Sequence, residues 1–529
     1  MRKIPLIGLF CLLVASVLPV HAQTAGDDDE LLQLLRTELK RNYDSLRTAT
    51  YPPYFMAYRV HKSETHRVSA NFGHIYDNSV QTSVFLTIEL RVGKPETDNF
   101  HYLDKQSFTV KQVPLPLDEN PALVRKILQR ETERAYKESV LQYADNLVKA
   151  TLFGHDSAEV FRFQPMDMDQ YYEPPVSEDH WDADDWAARL RHCTSDASLS
   201  PHVTEASAEI IYQVNRNYLV NSENSFAVQN HTEARLNLHI GSLTDDNTTE
   251  HLDFPYFAPL PEQLPDADVM ESYFSLMEDY MAQQICDAPV MENKDCPVWL
   301  SGLVASTLMH NLIGHAMENP DNGLFAGKLH QKVIPENFSI ISDPLKETWN
   351  FGYTFDDEGV KSQRTTLINH GVLERFLSTR TQRTGAYAPN GHARGNLGLP
   401  SARQSTLFVR VDSPLNEKEW SSLFANELKR QNLEYGIFVA NCDIICDTAK
   451  EIITIYPTRC YRIYANGDTR AVRGVCISAS PQQWLDNLMA GGPMCEEESI
   501  LCHSQGDELL QFRHEERDHQ GQGQLASRN

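Results

Sequence analysis

The chain has 529 residues, and its 47 Lys and Arg stand against 73 Asp and Glu, a formal net charge of −26. So acidic a surface repels nucleic acid and anionic membranes, which sets both aside as partners. The length is too great for one hydrophobic core and sufficient for two or three domains.

The chain opens with Arg2 and Lys3, an apolar run over residues 4–20, and the small residue Ala22. This is the pattern of a cleavable secretory signal peptide covering residues 1–22, cut near Ala22, and it predicts an exported protein, periplasmic or secreted. Beyond it no stretch reaches the ~18 consecutive apolar residues of a membrane span. Of the ten cysteines, Cys11 falls in the leader. An odd number remains, so at least one thiol is free, metal-bound or paired between chains.

A helix is predicted over residues 27–46, where Leu31, Leu34, Leu35 and Leu39 share a face and acidic residues sit at the start. Val84, Leu86, Ile88, Leu90 and Val92 alternate with mostly polar neighbours, the period of a half-buried strand. A second helix follows Pro121 and runs to about Leu147. The acidic, breaker-rich "PMDMDQYYEPPVSEDHWDADDW" reads as a long exposed excursion, and strand character returns over residues 208–220 and 236–240. Helices and strands mix without a βαβ rhythm, so the fold class is α+β. A mixed helix/strand domain, residues 23–250, precedes a Pro-rich connection over 251–297. A β-rich C-terminal domain, 298–510, then carries the helix of interest, and a disordered tail covers 511–529. Within the C-terminal domain "CYRIYANGDTRAVRGVCI" reads as a hairpin turning at Asn466-Gly467.

That helix ends in "MHNLIGHAMEN", residues 309–319. Zinc peptidases place two histidines at i and i+4 on a helix, with a glutamate directly after the first. Here His310 and His315 are i and i+5, and Asn311 holds the glutamate's place. In a regular α-helix this spacing sets the two rings about 140° apart. A π-type turn, at about 4.4 residues per turn, brings them to within roughly 50°, and Gly314 makes such a distortion cheap. Glu318, three residues after His315, shares its face and can orient its ring. From spacing alone, two histidines at a helix end serve equally as packed or capping groups.

The following residues carry a resemblance. "IGHAME" is followed in order by "FAGKLHQKVIPE" and "YTFDDEGVKSQRTTLINHGVLERFL". Over some seventy residues this succession resembles the signature region of the TldD/PmbA family of metallopeptidase-related proteins, and looser matches extend it from Asp29 to about Gly506. The resemblance implies zinc held by His310, His315 and a late cysteine, Cys502 in "LCHSQGDELLQ" or, as runner-up, Cys495 in "GPMCEEES". It also implies a peptide or unfolded segment as substrate, and a homodimer or a heterodimer with a related subunit.

Asn311 departs from the family's pattern, because an amide cannot accept and return the proton that the glutamate handles. Glu318 is the one nearby carboxylate that could substitute. Three readings follow: a zinc peptidase with reduced or rerouted catalysis, a binding or partner subunit that keeps the fold but not hydrolysis, and a metal-free scaffold.

Overall fold

The computed structural model describes residues 26–101, 112–116, 120–153, 161–166, 169–196, 203–244, 247–281, 288–291, 295–321, 323–345, 351–383, 388–395, 399–447, 450–492, 497–502 and 508–513. The leader and Cys495 lie outside the described residues, as does the predicted tail beyond Arg513.

The N-terminal half is an eight-stranded sheet built on four long antiparallel strands. Strand β1 (Pro53–Asn71) turns through Phe72 and Gly73, both at positive φ, into β2 (His74–Lys94). Strand β3 (Val203–Asn221) pairs β1 and leads by a hairpin into β4 (Phe226–Leu243), which pairs β5 (Thr249–Ala258). Successive residues of a strand point to opposite faces, and here the faces have different partners. Even-numbered positions such as Met56, Tyr58, Val68, Ala208, Ile210, Leu236 and Leu238 are buried under helices. The covering helices are α1 (Glu30–Leu46), α2 (Pro121–Phe153), α3 (Ala183–Asp196) and α4 (Ala267–Tyr280). Odd-numbered positions face the C-terminal half: Arg59 Nε donates to the Asp357 carbonyl at 2.8 Å, and Gln229 Nε2 to the Phe355 carbonyl at 2.8 Å.

Helix α1 starts at Glu30 because Asp29 caps it, accepting from the Leu32 amide at 2.9 Å. The other Asp29 oxygen accepts from Arg216 and Tyr218 at 3.1 Å each, which ties the helix start to β3.

Three stretches differ from the sequence expectation. The acidic segment after Pro165 is no excursion: Gln170–Tyr172 adds a short strand to β4, and α3 buries Trp186 and Leu190 in the core. The stretch 251–297 is not a connection throughout, since most of β5 and all of α4 belong to it. Its prolines misled because Pro255 sits on an outer strand, where a missing N–H costs no ladder bond to a further strand. The last strand runs to Arg513, past the expected start of the tail.

In the C-terminal half, β6 (Val298–Leu300) lies parallel to β10 (Tyr435–Asp447), which pairs β11 (Ile452–Tyr464). The expected hairpin turn is present, with Gly467 at φ +90° closing β11 onto Thr469–Ala471. A second sheet centres on β7 (Phe338–Asp343), flanked by β8 (Thr365–Asn369) and β9 (Thr406–Val411). Between the two sheets runs helix α5 (Gly302–Met309). Its Val304 and Leu308 pack with Ile340, Leu367, Val409, Val439 and Ile455 in one core. Among the described residues no helix is long and apolar enough to cross a membrane.

Candidate metal centre

Ser301 starts α5 by accepting from the Val304 amide at 3.3 Å. The helix then loosens into a π turn over His310–Gly314 and resumes for a last turn at His315–Glu318. The extra residue in that turn brings the two rings side by side, with centroids 4.6 Å apart and planes at 68°. His310 is buried at 3% exposure, whereas His315 is partly open.

Three residues brace the pair. Glu318 Oε2 stands 3.0 Å from His315 Nδ1, and Arg403 Nη1 donates to the same oxygen at 3.0 Å. Glu318 Oε1 accepts from the Gln404 amide at 3.0 Å. With both oxygens engaged, Glu318 orients His315 and leaves Nε2 as the ring's outward nitrogen, the arrangement that suits a metal ligand. The same engagement argues against Glu318 as a substitute base. Gln404 Nε2 donates to the His310 carbonyl at 3.4 Å and lies 3.3 Å from the His315 ring, so it packs against both histidines. Arg403 and Gln404, in "SARQS", carry no spacing or motif that could have marked them beforehand.

Gly314 has a second role besides easing the π turn. A Cβ placed on it would stand 1.6 Å from Gln404 Oε1 and 2.3 Å from its Cδ. Only a glycine lets Gln404 reach the histidines.

Asn311 is held at both ends. Its Nδ2 donates to the Thr307 carbonyl at 2.9 Å, and its Oδ1 accepts from the Cys446 thiol at 3.3 Å. Burial by the surrounding protein raises the Cys446 pKa, so the thiol remains a donor at neutral pH. The position of the expected base thus holds a fixed amide.

Two imidazoles on adjoining turns, one backed by a carboxylate, suit a zinc ion and supply two of the three protein ligands of an open site. Cys502 ends a strand, Glu497–Cys502, that pairs Glu508–Arg513. No trio of His, Cys, Asp or Glu placed to hold a metal occurs among the described residues.

The acidic loop "FDDEG" is a turn closed by the Gly359 amide on the Asp356 carbonyl at 2.9 Å. Asp356 and Glu358 are buried. Asp356 accepts from the amides of Glu358, Val360 and Ala393 at 2.9, 2.9 and 3.0 Å. Glu358 accepts from the Arg380 amide at 2.5 Å, and burial raises its pKa to about 7. The loop fastens the two halves: besides the Arg59 bond, Gln229 Oε1 accepts from the Thr354 and Phe355 amides at 3.1 and 2.9 Å.

With this geometry in view, residues 293–501 match the model of the PmbA/TldA metallopeptidase C-terminal domain. Residues 293–501 thus carry a C-terminal domain of the TldD/PmbA type, and the chain is similar to TldD homologs over that part. The chain is also similar to a metalloprotease of Archaeoglobus fulgidus, 28% identical over 27% of this chain and 34% of that protein. A zinc metalloprotease TldD homolog of Saccharolobus solfataricus is 32% identical over 23% of this chain and 29% of that protein. The chain thus spans about a third of the length of the curated relatives it matches. The fold extends further. TldE from Thermococcus kodakarensis superposes with a TM-score of 0.61 at 11% identity, covering 90% of this chain and 97% of its own. A proposed DNA gyrase modulator from Thermotoga maritima gives 0.63 at 13%, covering 87% and 95%.

Proposed function

We propose that this TldD/PmbA-type chain is an exported, zinc-dependent peptide-handling protein whose hydrolytic step is impaired at Asn311. The observation that carries the reading is the π turn that gathers His310 and His315, with Glu318 backing the second ring. Zinc bound there would polarise a peptide carbonyl and acidify a water, the usual chemistry of such a site. His310 and His315 would hold it together with a late cysteine, Cys502 or Cys495. Glu318, Arg403 and Gln404 keep the pair in register. Asn311 can hold a water by hydrogen bonds but cannot take its proton, and loss of a general base typically removes ~10²–10⁴-fold of rate.

A non-catalytic partner subunit is the second reading, and the bond from Cys446 to Asn311 favours it, because it occupies the acceptor that would face the water. The likeness to TldE supports pairing with a related subunit or with a second copy.

The test is zinc content and peptide cleavage of the protein without residues 1–22. About one zinc per chain, lost in His310→Ala and in His315→Ala, is the expected result, as is a gain in cleavage of at least tenfold in Asn311→Glu. No metal in the natural protein would overturn the reading. Zinc without any gain in Asn311→Glu would leave the partner-subunit reading.

A further inference from the structure

The odd-numbered face of the N-terminal sheet does not lie flat against the C-terminal half. Between them is a cleft of about 330 Å³. Its floor is a grid fixed by strand register: Ile211, Arg235 and Phe257 form one rung across β3, β4 and β5, and Glu209, Asn237 and Pro255 form the next. Its roof is helix α5, through Leu303 and Thr307. These two are one turn apart, and Asn311 follows one turn later, its amide bonded to the Thr307 carbonyl. The cleft therefore opens along the helix stripe that ends at the histidine pair.

The polar side chains of this floor are already engaged within the wall. Glu209 takes Arg67 at 2.6 Å and Ser69 at 2.9 Å. Asn237 donates to Asp253 at 3.0 Å, and Arg235 pairs with Glu233 at 2.8 Å. Beside these bonded groups, Ile211, Phe257, Leu303, Thr307 and Cys442 line the space, all half-buried, with Asn441 tied to the Asp253 carbonyl at 3.1 Å. The volume lies at the small end of the roughly 300–1,000 Å³ of ligand pockets.

We propose that this cleft is a specificity pocket for one bulky apolar side chain of a bound peptide, whose main chain then runs along the Leu303–Thr307–Asn311 stripe to the histidines. The proposal rests on the peptide-handling reading and adds to it the residue class selected and the wall that selects it. A leucine or phenylalanine guest would leave water for a largely apolar lining, worth at least a tenfold preference over glycine at that position. A glutamate guest would meet no free cation among the side chains named here.

The test uses fluorescein-labelled hexapeptides that differ at one central residue (Gly, Leu, Phe or Glu). Binding to the full-length mature protein is followed by fluorescence anisotropy, with zinc content measured alongside. The expected result is Phe and Leu bound at least tenfold more tightly than Gly and Glu. Leu303→Trp, which fills the cleft from the roof, and Ile211→Trp, which fills it from the floor, should each abolish that preference. Zinc content should remain. Peptides bound without side-chain preference, or a preference that survives both substitutions, would overturn the pocket while leaving the peptide-handling reading in place. If no peptide binds the natural protein, both fall.

Discussion

Gly314→Ala tests the site most directly. In an ordinary helix the exchange would gain about 1 kcal/mol, because alanine loses less backbone freedom on folding. Here the new methyl would stand 1.6 Å from Gln404 Oε1, and Gln404 is 2% exposed, with no open space to move into. Overpacking of this kind costs ~1–3 kcal/mol. If Gln404 swings away, its bond to the His310 carbonyl is lost and a buried polar group goes unpaired, another ~1–3 kcal/mol. The net expectation is a loss of about 1–5 kcal/mol, with weakened zinc binding because the π turn loses its tie to Gln404. The double-mutant cycle supplies the sign. In a Gln404→Ala background the clash is absent, so Gly314→Ala should become neutral or stabilising. Urea unfolding of the four proteins, with zinc titration of each, measures both effects. A Gly314→Ala protein as stable as the natural one, or a cycle with no coupling, would refute the claim that the glycine serves Gln404.

Two further predictions concern pH. Glu358 has its pKa raised from 4.5 to about 7, so the folded state holds a proton that the unfolded state releases. Stability should therefore fall as pH rises from about 4.5 to 7, by up to roughly 3 kcal/mol. Glu358→Gln, which keeps an acceptor for the Arg380 amide, should flatten that slope in urea unfolding at pH 5 and 8; an unchanged slope would reject it. His251 bridges the halves to Asp443 at 3.2 Å, with Asp253, Glu250 and His239 around it, and its pKa is raised, first by the bond to Asp443. Its contribution is present below the ordinary value of about 6.5 and is lost as pH rises through the raised value. Both partners are substantially exposed, so His251→Gln should cost only ~0.2–1 kcal/mol at pH 5.5 and nothing at pH 8.5. An equal cost at both values would assign His251 a packing role instead.

Much of this was legible beforehand, and the reasons are local. The π turn follows from a five-residue spacing and a glycine, because only one helical distortion brings residues i and i+5 together. Helix α1 follows from an apolar stripe behind acidic residues, and parts of β2, β3 and β4 from a period of two. Arg403, Gln404 and Cys446 were not legible, because they reach the histidine helix from strands and loops 89 and 135 residues away along the chain, and no local pattern encodes that meeting. The burial of the acidic "FDDEG" loop was not legible for a related reason, since the other half of the molecule, with Arg59 and Gln229, covers it.

The two faces of the N-terminal sheet also bear on how this protein can change over time. On β3 and β4 the residues that hold the fold together, Ile210, Leu236 and Leu238, alternate with those that floor the cleft, Glu209, Ile211, Arg235 and Asn237. Selection for a stable core and selection for a new guest therefore act on alternate letters of the same strands. Point substitutions can retune the cleft at little cost in stability. An insertion or deletion of one residue in either strand would exchange the two sets at once, and lineages should preserve the lengths of these strands more strictly than the identities along the cleft.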